Sequence, residues 1–177
     1  YIYLDSIIMG ICYSFNQRRL KTQDNSVPLF SLSGQVFDAK VVEVYDGDMC
    51  SVVIYYNKSF HKFKVRCNGY DCPERKPLKS EKVRDKMIEI AHASKNCFVS
   101  LVTNQFLVVD TVYTKIEMED IMKNNTKLVK LKCHDWDKYG RLLGDFYVDG
   151  LHVNQKIVEQ GFVVPYDRGR KHRFNVV

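Results

Sequence analysis

Three strand-like segments joined by tight turns constrain the fold more than any other feature. VFDAKVVEVY (36–45) and CSVVIYY (50–56) are rich in β-branched and aromatic residues, and Asp46-Gly47-Asp48 separates them as a turn. Asn57-Lys58 predicts a second hairpin turn, and the alternating text SFHKFKVRC (59–67) follows as the returning strand. Strands joined by such short turns pair antiparallel, so a three-stranded meander is expected.

A second strand set lies further along the chain. LVKLKCH (128–134) and RLLGDFYV (141–148) are strand-like, and Asp149-Gly150 is a strong two-residue turn signal.

Two helices are expected between and after these strands. Apolar residues recur at three and four over 80–103, behind Ser80 as a candidate N-cap. Residues 153–160 form a second amphipathic segment, and Gly161 suits the position after its end. Short strands, tight turns and a helix between strand sets predict a five-stranded, partly open β-barrel of the OB type with packed helices, α+β overall.

The chain is interpreted as one folded domain with an extension. Residues 1–33 are predicted to be an N-terminal extension and linker, and residues 34–177 the domain, which is expected to be a monomer. The stretch 104–126 is interpreted as an insertion, in which Thr114 caps a short helix over 115–123.

The N-terminal region carries a candidate lipid anchor. Met9 and Gly10 begin an M-G-x-x-x-S pattern, which is typical of myristoylation, and Cys12 stands where a palmitoyl chain is added. If translation starts at Met9, the product is expected to associate with membranes. The alternative is a disordered leader with a chance match, since Gly10 is internal as the chain is written. The opening residues lack a basic segment, which argues against a cleaved signal peptide.

Charge and cysteine content bound the partners and the environment. The net charge of +6 favours a polyanionic partner such as nucleic acid, although a merely basic protein fits it equally well. The six cysteines lie in strand-like and helical text without a CxxC pair, so free thiols in a reducing compartment are expected rather than a zinc site.

Four motifs follow one another in a characteristic order. They are VYDGD (44–48), R-x4-DCPE (66–74), DKYGR (137–141) and DGLHVNQKIVEQG (149–161). Over residues 39–166 this pattern resembles the staphylococcal nuclease (thermonuclease) family.

The resemblance implies a calcium site. Asp48 and Asp71 would be carboxylate ligands, and the backbone carbonyl of Cys72 would supply a third oxygen. Met49 stands where the family has threonine, which predicts weaker calcium binding. Cys72 also replaces a threonine, with little expected effect because only its backbone is used.

The resemblance also implies the catalytic groups. Glu74 would be the general base, and Arg66 and Arg141 would grip the phosphate. Substrate contacts would come from Lys138, Tyr139 and Tyr166. In a regular strand Arg66 and Asp71 face opposite sides, so a bulge at Gly69 is proposed to bring them together.

The implied function is calcium-dependent, endonucleolytic hydrolysis of DNA, with RNA left open, giving 3′-phosphate ends. One alternative is a non-catalytic module of the same fold that binds nucleic acid or protein. Another is a membrane-tethered interaction module. Taken singly, the residues also fit structural roles: Asp46–Asp48 as a solvated turn, and Glu74 as a surface ion pair with a neighbouring base.

Overall fold

The computed structural model describes residues 16–80 and 82–166. The chain forms two compact units, residues 1–31 and 32–177. In the first unit, residues 16–20 are helical. The candidate lipidation residues Gly10 and Cys12 lie outside the described residues. Within the described ranges, no helix has the length and apolar character that crossing a membrane requires.

Over residues 32–80 and 82–166, the second unit contains eight strands and three helices. The strands are β1 (Val36–Asp46), β2 (Met49–Tyr56), β3 (Ser59–Cys67), β4 (Tyr70–Asp71), β5 (Leu128–Trp136), β6 (Leu142–Val148), β7 (Leu151–His152) and β8 (Val164–Pro165). The helices are α1 (Arg84–Val102), α2 (Lys115–Asn124) and α3 (Val153–Glu159).

Five of these strands close into a barrel. The sheet order is β3-β2-β1-β5-β6-β7, and a parallel pairing of β3 with β6 joins its ends. Gly144 permits this closure, because a Cβ there would lie 2.6 Å from Leu131 and 2.9 Å from Val65. The five-stranded OB-type barrel with packed helices, predicted from the sequence, is confirmed.

Two of the predicted turns between strands have positive φ at both residues. Asn57 and Lys58 have φ values of 46° and 65°, and Asp149 and Gly150 have values of 51° and 81°. Two consecutive residues with positive φ match the twist of paired strands, which explains why these dipeptides set the register of β2 with β3 and of β6 with β7.

Helix α1 begins later than the sequence predicted. It starts at Arg84, its N-cap is Val83, and no side chain caps it, so the assignment of Ser80 as N-cap is wrong. The buried residues of α1 begin only at Ala91. Its first two turns therefore extend past the core, and the exposed Lys82 and Val83 before them have no core packing to favour a helix.

The other two helices follow their sequence signals. Thr114 accepts a hydrogen bond from the Glu117 backbone, and the Glu117 side chain accepts one from Thr114, which completes a capping box. Helix α3 ends before Gly161, which has a φ of 80°.

The core lies inside the barrel and beneath α1 and α2. Phe98 of α1 meets Phe146 of β6 edge-to-face at 5.6 Å. The segment 104–126 also contributes buried side chains, namely Leu107, Met118, Ile121 and Met122. This segment is thus packed into the domain, and its status as an insertion stays a prediction.

The cysteines of the described ranges lie mostly in this interior. Cys50, Cys67, Cys72, Cys97 and Cys133 are free thiols, and all but Cys72 are buried.

Candidate active site

One end of the barrel opens into a cleft of about 820 Å³. All nine residues to which the family resemblance assigns a role in the site line it: Asp48, Arg66, Asp71, Cys72, Glu74, Lys138, Tyr139, Arg141 and Tyr166. They come from three separate stretches of chain and the C-terminal tail, so the fold, and not sequence proximity, brings them together.

The turn between β1 and β2 is pressed against α1. A Cβ on Gly47 would lie 2.4 Å from Oγ of Ser94 and 3.1 Å from its backbone carbonyl carbon, so only glycine fits there. The buried hydroxyl of Tyr70 donates to the Gly47 carbonyl at 2.8 Å. A register shift in β1 just before Asp46 re-aims the end of the strand. Packing therefore fixes where the acids of this turn point.

Arg66 lies between two carboxylates. Its Nη1 is 3.0 Å from Oδ2 of Asp48, and its Nη2 donates to Oδ1 of Asp71. The same Asp48 oxygen accepts a hydrogen bond from the Cys72 backbone at 3.0 Å. All three side chains of this ion-pair cluster are largely buried, so their charges interact strongly.

Arg66 and Asp71 meet without the predicted bulge. Strand β3 ends at Cys67, the chain turns at Asn68-Gly69, where Gly69 has a φ of 88°, and β4 begins at Tyr70. The expectation of a bulge within a continuous strand is wrong, because the strand is interrupted. The turn places Asp71 on the same side as Arg66, which is the effect that was expected of the bulge.

The tail strand β8 brings Tyr166 to the same place. Asp71 pairs with Val164 across β4 and β8, and the Tyr166 backbone donates to the Gly69 carbonyl at 2.9 Å. The guanidinium carbon of Arg66 is 6.0 Å from the centre of the Tyr166 ring.

A buried amide holds the Asn68 turn in place. Asn154, at the start of α3, donates to the carbonyls of Asn68 and Gly144 at 2.9 and 3.0 Å. Its Oδ1 accepts from the backbone of Phe146 at 2.9 Å. Asn154 therefore connects the helix to the turn that positions Asp71.

Asp46 is a residue that the family assignments missed. Ligand atoms of Asp46, Asp48 and Cys72 all lie within 4.8 Å of one another. Burial, aided by the Asp48 charge, raises the pKa of Asp46 to about 7. The sequence signal that could have pointed to Asp46 is its position as the first acid of the DGD turn. Asp71 lies outside this trio and is held by Arg66 instead.

The donors at this spot fit a hard divalent cation. Burial, with Asp48 and Asp46 nearby, raises the pKa of the Cys72 thiol, so its sulfur stays protonated and is a poor metal ligand. The remaining donors of this trio are the carboxylate oxygens of Asp46 and Asp48, which suit calcium better than zinc. Asp48 and Asp71 are paired with Arg66 in this structure, so binding of a metal ion by these two carboxylates would replace the guanidinium.

Asp137 organises the loop that carries Arg141. Its Oδ1 accepts from the backbones of Tyr139 and Arg141, each at 2.9 Å, and its Oδ2 accepts from Nε of Arg141 at 2.6 Å. The family resemblance gave this acid no role, although it begins the DKYGR motif.

The Arg141 guanidinium has two further neighbours. Its Nη1 lies 2.9 Å from the sulfur of Met49, and its central carbon lies 5.1 Å from the centre of the Tyr139 ring. The ammonium of Lys138 lies 5.0 Å from the same ring. Met49, which departs from the family pattern, is thus a contact of the candidate catalytic arginine.

Glu74 is exposed at the wall of the cleft, directly after the buried Pro73. The following residue ties this loop to the barrel, since Nη1 of Arg75 donates to the Tyr45 carbonyl at 2.9 Å and its guanidinium lies 5.5 Å from the Tyr45 ring. The loop that carries Glu74 is therefore attached to the end of β1.

The comparison with known families agrees with the fold. The family described as "Staphylococcal nuclease homologue" matches residues 64–175, which is more than half of the 177 residues. The matched range includes Arg66, Asp71, Glu74 and Arg141 but not Asp48. No curated protein matches the chain at a significant level. The closed barrel and a family match over more than half of the chain show that the chain belongs to the staphylococcal nuclease homologue family.

Proposed function

We propose that this protein is a calcium-dependent nuclease that hydrolyses internal phosphodiester bonds of DNA. The observation that carries the proposal is the convergence of acids, arginines and aromatic residues on a single cleft. A binding module needs the cations and rings only. The buried carboxylates around Arg66 serve metal-assisted chemistry and weaken the attraction of the site for a polyanion.

Calcium would be held by Asp48, Asp71 and the backbone carbonyl of Cys72, with Asp46 close by. When bound, the ion would supply Lewis-acid polarisation of a phosphoryl oxygen.

Glu74 would act as general base. A water molecule in the cleft attacks phosphorus and transfers a proton to the Glu74 carboxylate, forming the new P–O bond as the bond to the 5′-oxygen breaks. The 5′-oxygen leaves with the bonding electron pair and takes a proton from solvent. The phosphate remains on the 3′ side, and the exposure of Glu74 in the cleft supports access by water.

Arg66 and Arg141 would bind the non-bridging oxygens of the phosphate, and Nη1 and Nη2 of Arg66 would turn to these oxygens once Asp48 and Asp71 bind calcium instead. Their planar guanidinium groups donate two hydrogen bonds at once, and charge develops on these oxygens as the reaction proceeds. The contacts of Arg141 with Asp137 restrict its orientation before substrate binds, which lowers the cost of alignment.

Lys138, Tyr139 and Tyr166 would bind the nucleotides on either side of the scissile bond. The Tyr139 side chain is 70% exposed and carries a cation near its ring, so a base can stack on it. Stacking and charge discriminate weakly between bases, so little sequence preference is expected.

The test is degradation of a labelled single-stranded DNA with calcium, with magnesium and with a chelator. We expect cleavage at internal positions with calcium, 3′-phosphate product ends and no cleavage with chelator. Cleavage that persists in the chelator would contradict the metal requirement, and 5′-phosphate ends would contradict the direction of attack.

The alternative is the non-catalytic module of the same fold. Nη1 of Arg141 contacts the Met49 sulfur, so this N–H group is not available to a phosphate oxygen. That contact favours the non-catalytic alternative. Binding of DNA without cleavage under every metal tested would support this alternative.

A further inference from the structure

Five aromatic side chains form a continuous row that leads away from the candidate active site. Ring centres are 6.0 Å apart for Phe37 and Tyr56, and 6.2 Å apart for Tyr56 and His61. The series continues at 6.3 Å from His61 to Phe63 and 5.9 Å from Phe63 to Trp136. We call these five residues the aromatic row.

The row is accessible because the barrel is open on this side. Strand β3 pairs with β6 only from Val65 to Cys67, whereas its pairing with β2 continues back to Ser59. Phe63 and His61 lie two and four residues before the buried Val65, so they share its face of β3. Without β6 beside it, that face is covered only in part: His61 is exposed and Phe63 is half-buried.

The row is continuous with the cleft. Trp136 lines the cleft at the end of β5, and its ring is also the last of the row. A register shift in β5 just before Trp136 re-aims this end of the strand. A chain leaving the cleft past Trp136 would therefore reach Phe63 next.

The charge of the same strand suits a polyanion. From residue 57 to 67 the chain has Lys58, Lys62, Lys64 and Arg66, and neither aspartate nor glutamate. Lys62 lies 3.6 Å from Glu43, and both side chains are more than half exposed, so this pair is weak in water.

We propose that single-stranded nucleic acid bound in the cleft continues along the aromatic row, with its bases stacked on the half-exposed rings. The proposal rests on the proposed function for the position of the cleft. Flat rings accept any unpaired base, whereas bases in a duplex are already stacked on each other, so the row selects single strands. Lys62 and Lys64 alternate with His61 and Phe63, so they leave β3 from its other face and attract the phosphate backbone toward the strand at long range without contacting the row.

The test compares two double variants of the same β2–β3 ribbon. His61→Ala with Phe63→Leu removes two rings of the row, and leucine keeps an apolar side chain against the core. Tyr55→Leu with Phe60→Leu is the matched control. It removes two exposed rings that lie 5.2 Å apart on the opposite face.

Binding is measured by anisotropy of labelled oligothymidylates of increasing length, in chelator and in a Glu74→Gln background to prevent cleavage. For long strands we expect the row variant to lose about tenfold or more in affinity and the control to lose little. For strands short enough to fill the cleft alone, both variants should bind like the parent. Trp136 is the only tryptophan, so quenching of its fluorescence reports the same binding without a label.

The outcomes separate the two proposals. If short strands bind but added length brings no affinity, or if the row variant matches the control on long strands, the row does not bind nucleic acid and a protein partner becomes the better explanation. If a duplex binds the row as tightly as a single strand, the stacking argument is wrong. If the parent binds no strand of any length, the proposed function fails as well. Thermal unfolding of each variant checks that the fold is retained.

Discussion

Asp137 is the side chain whose replacement tests how the loop of Arg141 is built. Its carboxylate accepts three hydrogen bonds from the loop, two from backbone N–H groups and one from the Arg141 guanidinium. The side chains of Asp137 and Arg141 are 14% and 23% exposed, so water replaces these bonds only in part. We expect Asp137→Ala to destabilise the fold and to leave Arg141 poorly oriented.

The magnitude follows from the number and the kind of bonds. A hydrogen bond to a charged group contributes about 1.5–3 kcal/mol, but three bonds to one side chain are not additive. The two N–H groups face a turn that water reaches in part, so we estimate a loss of about 2–4 kcal/mol for Asp137→Ala. Asp137→Asn keeps one acceptor but turns a donor toward Nε of Arg141, for which we estimate about half that loss.

Urea unfolding monitored by circular dichroism measures both variants. Asp135→Asn, at an exposed position two residues earlier, is the control for loss of the same charge. An Asp137→Ala protein that unfolds at the same urea concentration as the parent would refute the reasoning, because the three bonds would then contribute nothing.

The stability of the parent should also depend on pH through this group. Burial acts to raise the pKa of Asp137, but hydrogen bonds from Arg141 and Tyr139 outweigh it and lower the pKa below 3.8. The ionised carboxylate therefore stabilises the fold above about pH 4, and this stabilisation is lost as the pH falls through the lowered pKa. The pH dependence of unfolding below pH 4 should be shallower in Asp137→Asn.

Three further changes test other parts of the site. Gly47→Ala should destabilise the protein by about 1–3 kcal/mol in urea unfolding, because its Cβ meets Ser94, and Ser94→Gly should restore part of the loss. Asn154→Ala should cost about 2–3 kcal/mol by leaving the buried N–H of Phe146 unpaired, which thermal unfolding would report as a lower Tm; an unchanged Tm would contradict that role. Cys72→Thr should leave the calcium dependence of cleavage unchanged, because only the backbone oxygen of this residue is proposed to bind calcium. Loss of calcium binding would show that the side chain takes part.

Features encoded within a few residues were predictable from the sequence. The hairpin at Asn57-Lys58 and the capping box at Thr114 depend on backbone preferences of the residues themselves, and both occur as expected. The positions of the five main strands along the chain followed from these turns together with the apolar alternation.

Features that depend on distant contacts were not predictable. The start of α1 at Arg84 depends on where the core ends, and Ser80 carries no information about that. The sequence pointed to Gly69, but the turn there is held by Asn154, which lies more than eighty residues away in the chain.

The candidate site shows the same division. All nine residues to which the family motifs assign a role line the cleft, and the roles themselves stay predictions. The motifs were silent about Asp137 and the aromatic row, because neither has a chemical signature in sequence: an aspartate in a turn and a phenylalanine in a strand are both ordinary. Only the fold shows that Asp137 holds Arg141 and that Phe63 lies beside Trp136, through which the row reaches the cleft.

The measurement that most directly tests the central claim is single-turnover cleavage of single-stranded DNA in calcium by the parent, by Glu74→Gln and by Glu119→Gln. Glu119 lies on the exposed side of α2 and undergoes the same chemical change outside the cleft. We expect Glu74→Gln to slow cleavage about a hundred- to ten-thousand-fold while DNA affinity stays close to that of the parent, and Glu119→Gln to cleave normally. A Glu74→Gln protein that cleaves at the parent rate would contradict the assignment of Glu74 as the base and, with it, the proposed mechanism.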